Sequence, residues 1–139
     1  MNYLEFLSEH GVTLLFGTVT TVKVFICSFF LFLIISMIFG LMRLSKNAAI
    51  QGIATVYIEF FRGTSLLVQL FWAYYVLPFF GVSLEAFSAG VLALGLNFGA
   101  YGAEVVRAGI LAVPQGQCEA AHALNFTPTK RMSRIIIPQ

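Results

Sequence analysis

VFICSFFLFLIISMIFGLM, residues 24–42, runs for 19 positions without a charge and is closed by Lys23 on one side and Arg43 on the other. As a helix it would be about 28 Å long, close to the ~30 Å hydrocarbon core of a bilayer. Two more such runs follow, Gly63 to Leu84 with 22 residues and Ala86 to Ala103 with 18. All three are continuously apolar, whereas a membrane strand alternates over about ten residues, so helices are expected. The whole chain agrees: of 139 residues 59% are apolar and 10% charged, which excludes a water-soluble globule. The sequence predicts an all-α membrane protein with three transmembrane helices, at about 20–42, 64–82 and 86–106.

The first run lacks the basic n-region and small-x-small cleavage site of a signal peptide, so it is read as part of the mature chain. Lys23 lies one bilayer thickness from Arg43 and can snorkel to the opposite interface. Arg43, Lys46 and Arg62 bracket the first connection, and Arg107, Lys130, Arg131 and Arg134 follow the third run. The segment from Pro78 to Glu85 carries no basic residue. The positive-inside rule then puts the amino terminus outside and the tail in the cytoplasm.

Between these anchors the segments differ in character. Met1 to Gly11 reads as a short interfacial helix or as a solvated lead-in. Ser45 to Arg62 has apolar residues at helical spacing beside Lys46, Asn47, Gln51 and Glu59, and reads as a cytoplasmic helix leading into the second span. Pro78 and Gly81 close that span with a turn. Gly95, Gly99 and Ala103 form a ridge of small residues that lets another helix approach closely in lipid. Gln69 and Asn97 should avoid lipid, either bonded to a neighbouring helix or facing a translocation path. Glu104 with Arg107, and Glu59 with Arg62, stand three apart and are expected as ion pairs on one helix face.

Much is excluded. A net charge of +2 with no Asp implies neither a nucleic-acid face nor an acidic tail. Cys27 and Cys118 would fall in different solvents, so no disulfide is expected. His10 and His122 are isolated, so no metal site is expected. Neither a G-x-x-x-x-G-K phosphate loop nor a catalytic motif occurs, so the chain is read as a non-enzyme without its own cofactor.

The tail is the most patterned part. Pro114 and Gly116 break the third helix, and Gln117 to Leu124 holds good helix formers. Asn125 suits a left-handed terminator, Thr127 an N-cap and Pro128 a first helical position, giving helix, turn, helix over about 110–138. Here the residues resemble a family. Glu119-Ala120-Ala121, the turn at Asn125 and Ile137-Pro138 resemble the EAA loop of permease subunits of bacterial ABC importers. Glu59-Phe-Phe-Arg-Gly-Thr-Ser-Leu-Leu-Val-Gln69 and Ala100-Tyr-Gly-Ala-Glu-Val-Val-Arg107, with Val113-Pro-Gln-Gly-Gln117, resemble the polar amino acid branch. Within that branch, Ala123-Leu-Asn-Phe-Thr-Pro128 and Tyr101-Gly-Ala-Glu-Val-Val-Arg107 are similar to permeases assigned to ectoine and hydroxyectoine uptake. Two positions depart from the pattern: the family usually has Gly where Asn125 stands and Leu where Ile137 stands.

The resemblance implies a MetI-like permease fold, here its amino-terminal portion, because family members continue past the Ile-Pro pair with further spans. It implies two ATPase subunits that bind ATP, a second permease copy or paralogue, and an external solute-binding protein. Glu119, Ala120, Ala121 and Asn125 would dock on the ATPase, flanked by Lys130, Arg131 and Arg134, in the inner membrane of a bacterial cell. The competing readings are a secondary transporter and a non-transporting membrane adaptor. The former should show an internal repeat, discontinuous helices and ionisable groups at mid-membrane, none of which is visible in the sequence.

Overall fold

A computed structural model describes residues 3–127 together with Lys130, Met132 and Arg134, side chains excepted at 3–9, 115, 118 and 122. Pro128, Thr129, Arg131 and the Ile137-Pro138 pair lie outside the described residues. All regular elements described are helical.

The first helix, α1 (Tyr3–Arg43), continues for 41 residues. Nothing in its sequence stops it: the chain has no proline before Pro78, and lipid gives main-chain groups no partner but their own helix. Thr18, Thr20 and Thr21 turn their hydroxyls back onto the carbonyls of Leu14, Phe16 and Gly17 at 2.8–2.9 Å, which satisfies these three hydroxyls within the helix. The lead-in at residues 3–11 is therefore the first part of this helix, not a separate interfacial one.

Against α1 lies α4 (Ala86–Leu111). Leu31 faces Gly95, Ile35 faces Gly99, and Gly40 faces Val106, so numbers rise together and the two helices run parallel. A Cβ added at Gly95 or Gly99 would sit 2.5 Å from Leu31 Cδ2 or Ile35 Cγ2, so main chain meets side chain there with no space to spare. Ala100 and Ala103, on the same side, are fully buried. Between helices in lipid there is little hydrophobic gain, and close van der Waals packing has to supply the attraction. With this register α4 starts level with Val22, and the residues from Tyr3 to Thr21 project roughly 28 Å beyond it.

Two parallel helices need a return. After α1 a tight turn (Leu44 N to Leu41 O, 3.1 Å) leads to Asn47, whose Oδ1 accepts from Ala49 N and caps α2 (Ala48–Gly63). This helix buries Ala54 and Ile58, one turn apart, and packs on both α1 and α4. Its Tyr57 stacks on Phe39, with ring centroids 3.9 Å apart, and donates to Leu96 O, midway along α4. It thus belongs to the bundle and does not lie apart as a surface helix, because Tyr57, Ile58 and Phe61 need protein neighbours.

The second span departs most from expectation. In place of one helix over 64–82 there is a short α3 (Leu66–Phe71), then a π-helical turn (Trp72–Val76) and a 3-10 turn (Leu77–Phe80). This limb is bent by 101° from α2. Thr64 (φ −113°, ψ 147°) and Ser65 (φ −67°, ψ 135°) are extended and make the bend. Gly, Thr and Ser in succession are poor helix formers, so Gly63-Thr64-Ser65 is where a long helix would yield. Gly81 (φ 85°) ends the limb, with Gly81 N on Pro78 O and Val82 N on Leu77 O, the paired bonds of a left-handed cap. Among the described residues two helices are long and apolar enough to cross a membrane, or three if the bent pair counts as one span.

Candidate functional site

The bend creates a chemical problem that side chains solve. The last carbonyls of α2 have no helical partners, and side chains of the bundle supply the missing donors. Thr64 Oγ1 donates to Phe60 O at 2.8 Å. Gln69 Nε2 shares its hydrogens among Phe61 O at 3.0 Å, Thr64 O at 3.3 Å and Thr64 Oγ1 at 2.6 Å. From α4, Asn97 Nδ2 donates to Phe61 O at 3.0 Å and to Gln69 Oε1 at 3.2 Å, which uses both its hydrogens. Gln69 and Asn97 are both buried. Residue type alone allows them either a neighbouring helix or a translocation path; the structure bonds them to each other and to the broken main chain.

Interhelical bonds of this kind in membranes average roughly 0.6 kcal/mol and reach ~1.7. The two from Asn97 together therefore contribute on the order of 1–3 kcal/mol, enough to hold a bend and small enough to release. Beside them, between the α3 limb and α4, is a cavity of about 270 Å³ bordered by Val68, Gln69, Ala73, Leu92 and Leu96. Both residue types were visible in the sequence. Thr64 and the Phe61 carbonyl were not, and the Gly-Thr-Ser run was the available signal.

A second constellation ties the C-terminal ends of α1 and α4. Glu104 faces Arg107 at 3.4 Å and also Arg43 at 3.6 Å. Arg43 as a partner was missed, because 61 positions of sequence separate it from Glu104 and only packing of parallel helices joins them. These side chains are between 21% and 37% exposed, so the pairs contribute about 1 kcal/mol or less. Arg62 does not pair with Glu59 among the described residues; its guanidinium instead lies over the Tyr101 ring, 5.4 Å from the centroid. Glu59 is exposed. The Gly95, Gly99 and Ala103 ridge receives α1.

Beyond α4 the chain turns at Val113 and Pro114 into α5 (Gln115–Ala123). Asn125 has φ 53°, and Phe126 N bonds to Ala121 O at 3.0 Å, the six-to-one bond of a left-handed helix cap. Asn is the non-glycine residue best able to take that conformation. Lys130 N donates to Thr127 Oγ1 at 3.4 Å, as an N-cap hydroxyl requires. Glu119, Ala120, Asn125, Lys130 and Arg134 are exposed, whereas Ala121 is buried and offers no surface of its own.

The irregular main chain beside the middle of α4 is answered by the Thr64 hydroxyl together with the Gln69 and Asn97 amides. A broken limb is a trait expected of secondary transporters, but the amides at the break are uncharged. The chain belongs to the family described as "Binding-protein-dependent transport system inner membrane component", whose pattern matches residues 32–139. It is 47% identical over 129 residues to "Probable amino-acid ABC transporter permease protein y4tF" of Sinorhizobium fredii, covering 88% of this chain and 54% of that one. It is 42% identical over 123 residues to the L-cystine transport system permease protein TcyB of Bacillus subtilis, covering 88% and 53%. Among solved structures, "Crystal structure of an amino acid ABC transporter with histidines" superposes with a TM-score of 0.82 at 43% identity, covering 96% of this chain and 64% of that one. The chain thus has the MetI-like permease fold and spans about half the length of the curated relatives it matches.

Proposed function

We propose that this chain works as part of the transmembrane permease of an ATP-driven importer for polar amino acids or related zwitterionic compatible solutes such as ectoine. The observation that carries the reading is the combination of a broken, amide-latched membrane helix with a capped helix-turn at the far end of α4, in a chain of this family. Cystine in one relative's name and histidine in that of the solved neighbour support a polar amino acid as solute; the ectoine extension rests on the Ala123–Pro128 and Tyr101–Arg107 runs.

In this reading the permease has no ATP site of its own. Separate ABC ATPase subunits bind the nucleotide and seat the surface formed by Glu119, Ala120 and Asn125, with Lys130, Arg131 and Arg134 beside it. Because α4 runs directly into α5 through Val113 and Pro114, displacement of α5 is carried into α4, and through Glu104 and the glycine seam into α1. A second permease copy or paralogue completes the channel, and an external binding protein delivers the solute. The amino terminus lies outside and the α5 turn in the cytoplasm, with Arg43, Arg62 and Arg107 at the inner surface.

The test is uptake of labelled solutes into proteoliposomes holding the complete transporter, with cystine, glutamine, histidine and ectoine as competitors. ATP-dependent uptake of a polar amino acid is expected. Uptake indifferent to ATP would return the choice to a secondary transporter. Glu119→Lys should abolish solute-coupled ATP use and leave membrane insertion intact.

A further inference from the structure

Asn97 is buried at the middle of α4, yet both of its amide hydrogens go to groups outside α4: the Phe61 carbonyl at the end of α2 and the Gln69 side chain of α3. It is therefore bonded to the two limbs on either side of the bend at once. We propose that Asn97 is a positioning residue of the transport cycle, a latch whose release lets the limb from Leu66 to Phe80 swing about Thr64 and Ser65 relative to the α1/α4 pair. The proposal rests on the importer reading above and adds to it the part that moves.

Three observations on different parts of the bundle converge on this division. First, α1 and α4 meet through glycines whose added Cβ atoms would stand 2.5 Å from Leu31 and Ile35, so that pair has no room to shear. Second, the limb has no continuous helical connection to α2: both joining residues are extended, and beyond Phe71 its own turns are π and 3-10 in type. Such departures from α-geometry are where helices bend. Third, a cavity of about 270 Å³ beside Gln69 separates the limb from α4 and from Phe60, Phe61 and Thr64 at the end of α2, so within this chain the limb is not close-packed there as α1 and α4 are. The bonds that hold the open bend come from amides, which can be exchanged for one another, whereas the seam is held by packing that cannot.

In the complete transporter with Cys27→Ser and Cys118→Ser, spin labels at Val56→Cys and Phe79→Cys, both exposed, report on the bend. Labels at Leu41→Cys and Val105→Cys, also exposed, report on the rigid pair. Between nucleotide-free and ATP-bound states the Val56–Phe79 distance should change by about one helical turn, ~5 Å, while the Leu41–Val105 distance stays constant. Asn97→Leu should move the nucleotide-free Val56–Phe79 distance towards the ATP-bound value. It should also lower maximal uptake about tenfold with unchanged half-saturation, while ATP hydrolysis continues. An unchanged Val56–Phe79 distance in a transporter that takes up its amino acid overturns the latch and leaves the importer reading standing. Absence of ATP-driven uptake in the unsubstituted transporter overturns that reading first. Should Asn97→Leu fail to assemble, the distances without that substitution decide alone.

Discussion

The hydroxyl of Tyr57 donates to the main-chain oxygen of Leu96 at 2.7 Å, tying the middle of α2 to the middle of α4. The same ring stacks on Phe39 of α1, so one side chain of α2 touches both neighbouring helices, α1 and α4. Removing the hydroxyl alone leaves the stacking in place, and Leu96 O keeps its place in the helical ladder. Tyr57→Phe should therefore cost about 0.5–1.5 kcal/mol, and Tyr57→Ala about 3–5 kcal/mol. Thermal unfolding in detergent should rank them in that order; equal losses would show that the hydroxyl, not the ring, holds α2.

Gly99→Ala places a methyl group 2.5 Å from Ile35 Cγ2 and 2.9 Å from its Cβ. Overpacking of this kind costs roughly 1–3 kcal/mol. At Gly52, in α2, a Cβ meets nothing within 4 Å, and replacing a mid-helix glycine by alanine should add about 0.5–1 kcal/mol of stability. Opposite signs for the two substitutions are the expected result; a neutral Gly99→Ala would mean that the seam can open.

Glu104→Gln removes the charge shared by Arg43 and Arg107. With these side chains partly exposed, the loss should be about 1 kcal/mol or less and should fade with salt. Stability of wild type and variant, compared at low salt and at about 1 M, should converge. A difference that persists at high salt would point to a role beyond charge pairing.

Asn125 stands at φ 53°, where a β-branched side chain is disfavoured by roughly 1–2 kcal/mol and glycine is at ease. Asn125→Gly should keep the α5 turn and copurification with the ATPase subunit, and Asn125→Val should lose most of both. Equal ATPase retention by the two variants would detach the turn from coupling.

Class and tail were readable because they rest on local chemistry. Charge-free runs of bilayer length need no knowledge of neighbours, and the left-handed Asn125 with the Thr127 cap is written in adjacent residues. The small-residue spacing at Gly95, Gly99 and Ala103 likewise announces a close helix, though not that α1 would be the partner. What the sequence concealed depends on contacts across the chain. Arg43 meets Glu104 only because α1 and α4 are parallel, and Arg62 prefers the Tyr101 ring, which α2 happens to cross. The second span reads as one helix over about 64–82 because no charge interrupts residues 63–84. Its bend is held in part by Asn97, 36 positions after Phe61, which joins Gln69 in donating to the Phe61 carbonyl.

The seam between α1 and α4 also has a mechanical meaning. Leu31 rests in the notch at Gly95 and Ile35 in the notch at Gly99, one turn farther on. A slide along the axis would have to lift both out before reaching the next seat, about 5–6 Å away; shorter steps drive side chain into main chain. The two helices are geared together like racks with meshed teeth, free of backlash. A tug at Arg107 is felt at Ala86 with its full stroke, and motion in this protein has to be taken up elsewhere than along that pair.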